Sequence, residues 1–260
     1  MRYNFDKKKH KKSKKHDSNS KTNNSNSSKS KGLKYYWLKI KQFWDYVWNG
    51  DDFLSLVLSL IFAFIIIKFI FYPGLSLVLG TTHPVVAIVS GSMEHKVVVS
   101  NKFPEICGSY QEETAKLNLD EYWSFCGPWY EDNVDISKEK FKDFDFKNGM
   151  NIGDVVVLTR ANPNKLEVGD VIVFIQKENP RKEPIIHRIV KIENTSSGIK
   201  IQTKGDHNRD SINVSTRTEY IDEYDITEEN LVGKALIRVP YVGYVKILAY
   251  DLYIWLINLF

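Results

Sequence analysis

The chain has 260 residues, 36 Lys and Arg, 32 Asp and Glu, and a formal net charge of +4, which fits one compact domain with appendages. The charge is uneven: residues 1–41 hold 14 Lys and Arg against two Asp and Glu, whereas the remaining 219 hold 22 against 30. A uniformly basic domain is thereby excluded. The basic block leaves nucleic acid, an anionic membrane surface or simple solubility as explanations.

Residues 1–31 are Lys, Ser and Asn with almost no large apolar side chains. Such a segment cannot bury enough surface to offset its chain entropy, so disorder is expected. Over 32–52, Tyr35, Tyr36, Trp37, Phe43, Trp44, Tyr46 and Trp48 interleave with Lys34, Lys39 and Lys41. Directly before an apolar run, this mixture suits a membrane interface better than RNA, and no nucleic-acid partner is expected.

The run Phe53–Tyr72 carries one charge, Lys68. As a helix its 20 residues extend roughly 30 Å, the thickness of a bilayer core. A cleaved signal peptide fits less well, because more than 50 residues precede the run and Tyr72-Pro73-Gly74 is no small-residue cleavage site. A transmembrane anchor is expected, its basic flank cytoplasmic and everything after residue 73 on the other side. Lys68 can snorkel to the headgroups. Cys107 and Cys126 then lie outside, where an oxidising compartment permits a disulfide closing a loop of about 20 residues and adding on the order of 3 kcal/mol. Two reduced, buried thiols are the alternative.

Val85–Val89 reads as a short strand running into Ser90-Gly91-Ser92-Met93. Residues 101–150 hold ten aromatics and 11 acidic against six basic residues without clear periodicity, which suggests an insertion or a substrate-facing lid. From Ile152 onward the pattern is β. Gly153-Asp154 precedes a strand at Val155–Leu158, and Gly169-Asp170 precedes one at Val171–Ile175. Further strands are expected at Ile185–Ile192, Ile199–Lys204 and Leu231–Val239. The fold class is mainly β: a small antiparallel domain on an N-terminal transmembrane helix. Tyr241–Phe260 is apolar again but carries Lys246 and Asp251, so a second span and an interfacial helix both fit.

Serine is a weak nucleophile without a base in hydrogen-bond reach. Ser92 follows a strand, with Gly91 before it to let a substrate chain approach. Of the six histidines, His10 and His16 lie in the basic tail, and His83, His95 and His207 lie off the strands. His187 alone falls on a strand, Ile185-Ile186-His187-Arg188-Ile189-Val190. A lone strand histidine is ordinarily structural; the combination is what matters.

Ser92, Gly153-Asp154-Val155, Gly169-Asp170-Val171-Ile172-Val173-Phe174, Ile186-His187-Arg188-Ile189-Val190 and Thr203-Lys204-Gly205-Asp206, with Asp210 beyond, form one ordered set. That set resembles the type I signal peptidases, and within them the ER and archaeal branch, which carries a histidine where bacterial enzymes use a lysine. The match covers about Pro84–Val239. Lys191 reads as a surface residue. The resemblance implies a signal-peptidase-type β domain acting as a serine endopeptidase that cuts after small residues. In it Ser92 would be the nucleophile and His187 the base. Asp210, with Asp206 as the alternative, would orient the ring. The Ser92 backbone N–H and the Ser90 hydroxyl would serve as oxyanion donors. It implies signal-peptide-bearing preproteins as substrates, membrane lipids and the Sec translocon as surroundings, a cell or ER membrane location, and no cofactor. Val85–Val89 could line pockets for the small residues, and Met93 could dip into lipid or pack in the core.

Two other classes compete: a non-catalytic membrane subunit that binds translocated chains, and a self-cleaving regulator of the related Ser–Lys type. No metal is expected, since Asp206 and His207 are adjacent rather than spaced as ligands and neither cysteine has a histidine partner. Asn194 and Asn213 head Asn-X-Ser/Thr sequons.

Overall fold

The computed structural model describes residues 25–100, 102–176, 183–196, 198–213 and 221–258. The chain divides into two compact units, 1–67 and 68–260. In the first, helix α1 (Ser25–Asn49) is followed by α2 (Phe53–Ile66). Helix therefore already covers residues 25–31, part of the segment expected to be disordered; the rest of that expectation, 1–24, falls outside the described residues. Asp52 caps α2 by accepting the Ser55 N–H at 3.2 Å. The Ser55 hydroxyl reaches back to the Tyr46 carbonyl at 2.7 Å, and Trp44 meets Phe62 edge-on with ring centroids 4.5 Å apart.

The apolar helix does not stop at Tyr72. A π turn over Ile67–Phe71 leads into α3 (Tyr72–Leu79), giving a continuous 27-residue run, Phe53–Leu79. Pro73 would ordinarily end a helix, because it lacks an N–H and its ring crowds the carbonyl one turn back. Here it sits in the first turn after the π segment, where the regular hydrogen-bond ladder is already shifted. Gly80, with φ +65°, makes the stop. Among the described residues this is the one helix long and apolar enough to cross a membrane.

A six-stranded antiparallel sheet dominates the second unit. Its strands are β1 (Val85–Ala87), β6 (Val155–Thr159), β10 (Leu231–Val239), β7 (Val171–Phe174), β8 (Ile185–Thr195) and β9 (Gly198–Lys204), in that spatial order. Every expected strand is present to within a few residues. The two Gly-Asp turns share one device. Gly153 and Gly169 adopt φ +85° and +104°, open to glycine and strained for other residues. Each following aspartate accepts the N–H three residues back, Asn151 for Asp154 at 2.9 Å and Glu167 for Asp170 at 3.0 Å. Both then face cations on β10: Arg238 at 3.7 Å and Lys234 at 2.6 Å. Ile88, Met93, Met150, Val156, Leu158, Val171, Val173 and Ala235 form the core between these strands. Met93 is thus core, not a lipid-facing side chain.

The 101–150 segment is ordered by its own packing. A second sheet, in the order β4 (Ser109–Tyr110), β3 (Phe103–Ile106), β2 (Lys96–Ser100) and β5 (Ala115–Lys116), precedes α4 (Leu119–Val134) and α5 (Lys138–Lys142). Asn118 and Glu121 close a capping box at the start of α4. Tyr122, Trp123, Cys126 and Tyr130 turn inward onto Phe141, Ile136 and Val190. Cys107 and Cys126 form a disulfide that fastens the β3–β4 turn to α4. At the C-terminal end, α6 (Tyr244–Asn258) is 15 residues long and exposes Val245, Leu248, Leu252 and Trp255; no second span is shown.

Candidate active site

β8 brings adjacent residues to opposite faces of the sheet. His187 is buried and turns toward the end of β1; Arg188, fully buried, turns toward α5 and the 144–146 segment. Everything else about the site follows from this split.

On the His187 face, Nδ1 is hydrogen-bonded to Oε1 of Glu223. A carboxylate only accepts, so Nδ1 carries the proton and Nε2 is left as the free base. Glu223 has no solvent exposure. Its Oε1 also accepts the Thr203 hydroxyl at 2.9 Å, and its Oε2 accepts the Ile212 N–H at 2.7 Å. Both carboxylate oxygens are therefore fixed, and through them the imidazole. A Cβ built on Gly205 would stand 2.8 Å from His187 Nε2 and 2.8 Å from the Ser92 carbonyl oxygen, so both border the Gly205 position. Only glycine fits between them. The Ser92 carbonyl accepts the His207 N–H at 2.9 Å, tying the serine turn to the Gly-Asp turn. The Ser90 and Ser92 hydroxyls lie 3.3 Å apart. Ser92, His187 and Asn208 line one cavity of about 790 Å³ together with Val85, Val86, Ala87 and Val89.

On the opposite face, Asp206 receives Arg188 through two bonds, Nε at 2.9 Å and Nη2 at 2.8 Å. It also accepts His95 Nε2 at 3.0 Å and the Tyr130 hydroxyl at 3.2 Å. Burial pushes its carboxyl upward, but Arg188 and His95 outweigh that and hold it well below the usual carboxylate range. Burial lowers the pKa of His95, whose ring stacks on Tyr122 at 3.6 Å between centroids. Its Nδ1 is buried without a partner, as expected of a neutral ring that donates from Nε2. Lys204, next to Thr203 on β9, also takes this face, over the rings of Trp129 and Tyr130 at 5.0 Å each. Burial lowers its pKa to about 8. Its Nζ donates to the Gly205 carbonyl at 3.0 Å.

Neither aspartate expected to orient His187 does so. Asp206 is on the wrong face and saturated by Arg188. Asp210 is exposed and accepts Trp129 Nε1 at 3.0 Å, the Tyr224 hydroxyl at 3.2 Å and the Ser211 N–H at 2.7 Å. The partner is Glu223, 36 residues from His187 in the chain. No spacing rule singles it out, because it sits among Asp222 and Asp225 in an irregular acidic stretch. Lys191 is at the surface, paired with Glu193 at 2.6 Å. Among the described residues no group of His, Cys, Asp and Glu is placed to hold a metal ion.

No protein-family model matches the chain. It is 35% identical over 101 residues to the signal peptidase complex catalytic subunit SEC11C of Homo sapiens, an overlap of 38% of this chain and 50% of that one. It is 32% identical over 106 residues to SEC11 of Colletotrichum graminicola, covering 40% and 58%. Against SEC11 of Verticillium alfalfae it is 34% identical over 99 residues, covering 37% and 54%. The chain thus spans about half the length of the curated relatives it matches, and over those roughly 100 residues it is SEC11-like in sequence.

Proposed function

We propose that the chain is a membrane-anchored serine endopeptidase that removes signal peptides from preproteins, with Ser92, His187 and Glu223 as its catalytic set. The observation that supports this reading is the arrangement at His187: Nδ1 is held by a buried carboxylate anchored at both oxygens, and the ring lines one cavity with Ser92.

In the proposed reaction His187 Nε2 takes the Ser92 proton as Oγ attacks the scissile carbonyl. Glu223 holds the tautomer and stabilises the imidazolium. The imidazolium then protonates the departing amine, and a water, deprotonated by the same ring, releases the acyl group. The Ser92 N–H and the Ser90 hydroxyl are the proposed oxyanion donors; losing one such donor typically costs about 10²–10³ in rate. Among the described residues β1 pairs only with β6, so its other edge can accept an extended peptide as an added strand. The cavity beside it is lined by Tyr72 of α3 and by His83, which suits a peptide arriving from the membrane. The curated relatives are named as subunits of a signal peptidase complex, and an ER-type membrane with the N-terminus cytoplasmic is proposed for this chain too. Its substrates would be signal-peptide-bearing chains leaving the translocon.

The test is the full chain, in detergent or in vesicles, incubated with a preprotein. The expected result is a mature product with one new N-terminus by mass spectrometry. An uncut preprotein after prolonged incubation with folded protein would overturn the proposal.

A further inference from the structure

Ser92 lies on the border of two cavities. The first runs along β1 past Tyr72 and His83. The second, about 880 Å³, opens on the other side of the serine, between the β2–β3–β4 hairpins and residues 207–212. Ser92, Asn208 and Ile212 line both, so the two adjoin at the site. A polypeptide cut at Ser92 has to pass in both directions. If its membrane-derived half lies along β1, the residues after the scissile bond are led into the second cleft.

Resting on the proposed protease reading, we infer that this second cleft holds the first residues after the cut and that Glu105 selects among them by charge. The antiparallel register sets Val98 opposite Glu105 and Glu105 opposite Tyr110. Directly opposed residues project from the same face of a sheet. The three therefore form one row across the cleft wall, a carboxylate between two apolar side chains. The lining holds two carboxylates, Glu105 and Asp210, against one guanidinium, Arg209. Arg209 lays its stem against Gly108. Asp210 is already engaged by Trp129 and Tyr224. Burial lowers the pKa of His207 against the opposing pull of Glu94 and Glu105. Glu105, which lines the cleft in the row between Val98 and Tyr110, complements a cationic side chain in the substrate.

The wall is held in place. The Cys107 N–H donates to the His207 carbonyl at 3.0 Å, and the Cys107–Cys126 disulfide fixes the same turn to α4. The extra 101–150 segment thereby becomes part of substrate selection.

The experiment compares preproteins identical except for Lys or Glu at the second and third residues after the cut. It uses the full-length wild type, Glu105→Gln and Glu105→Lys. The wild type should favour the lysine substrate in kcat/KM by about two- to five-fold, the range of a part-exposed ion pair. Glu105→Gln should abolish the preference and Glu105→Lys reverse it, with the urea midpoint and the response to changes before the cut unaltered. Cleavage by all three proteins with the same Lys/Glu ratio overturns this inference and leaves the protease reading standing. A wild type that cuts neither substrate overturns both. Should Glu105→Lys fold poorly, the Glu105→Gln ratio alone decides.

Discussion

His187 is held through Nδ1 by Glu223, a carboxylate without solvent exposure that belongs to neither Gly-Asp turn. The bond fixes the tautomer in which Nε2 is the free base, so its removal should act on turnover rather than on binding. Glu223→Gln keeps the shape but offers a neutral amide that can present either an oxygen or an NH₂ to Nδ1. A loss of about 10²–10⁴ in kcat with KM little changed is expected, the scale on which a triad carboxylate acts. Asp210→Asn should cost less than about ten-fold. Steady-state kinetics on one preprotein separates the two, and equal losses would remove the special role given to Glu223.

Asp206 serves stability. It closes a buried network with Arg188, His95 and Tyr130. Truncating one partner of such a pair leaves a charge without water, at a cost of about 3–5 kcal/mol. Asp206→Ala is accordingly expected to lower the urea midpoint strongly, and Asp210→Ala to shift it little. Similar midpoints for the two variants would contradict the assignment.

His95 should make the fold sensitive to mild acid. Its pKa is lowered by burial, so below about pH 6.5 the unfolded chain takes up a proton that the folded chain does not. Stability therefore falls as pH drops through that value, until the folded-state pKa is reached. Urea unfolding at pH 7.5 and 5.5 should show the loss, reduced in His95→Gln. An identical pH response in the variant would place the sensitivity elsewhere.

Ala87 lines the cavity on the β1 side of Ser92. Ala87→Phe should fill it and lower kcat/KM by about ten-fold or more, the effect of 1–3 kcal/mol of overpacking expressed at the site. An unchanged urea midpoint would show that the loss is local. Full activity would mean that the peptide does not lie along β1.

The strands could be read from the sequence because each pairs a turn signal with a run of β-branched residues, as Gly169-Asp170 does with Val171-Ile172-Val173. Ser92 and His187 stood out because one ends such a strand and the other lies within one. Glu223 did not, since nothing in its distance along the chain from His187 marks it. α4 could have been found: Asn118 and Glu121 have capping-box spacing, and Tyr122, Cys126 and Tyr130 recur every four residues. Dense aromatic and acidic residues around that stripe obscured it. The helix runs past Tyr72 to Leu79 because Pro73 sits in the first turn after a π segment, where the usual helix-breaking conflict is relieved.

The central claim is that the alcohol of residue 92 and the imidazole of residue 187 work as one unit. Single-turnover cleavage of a preprotein by Ser92→Ala, His187→Ala and the double variant tests it most directly. Groups acting together are non-additive, so each single variant should lose nearly all activity and the double should lose no more. A His187→Ala protein that cuts at close to the wild-type rate, or a double variant whose loss is the product of the two single losses, would contradict the account.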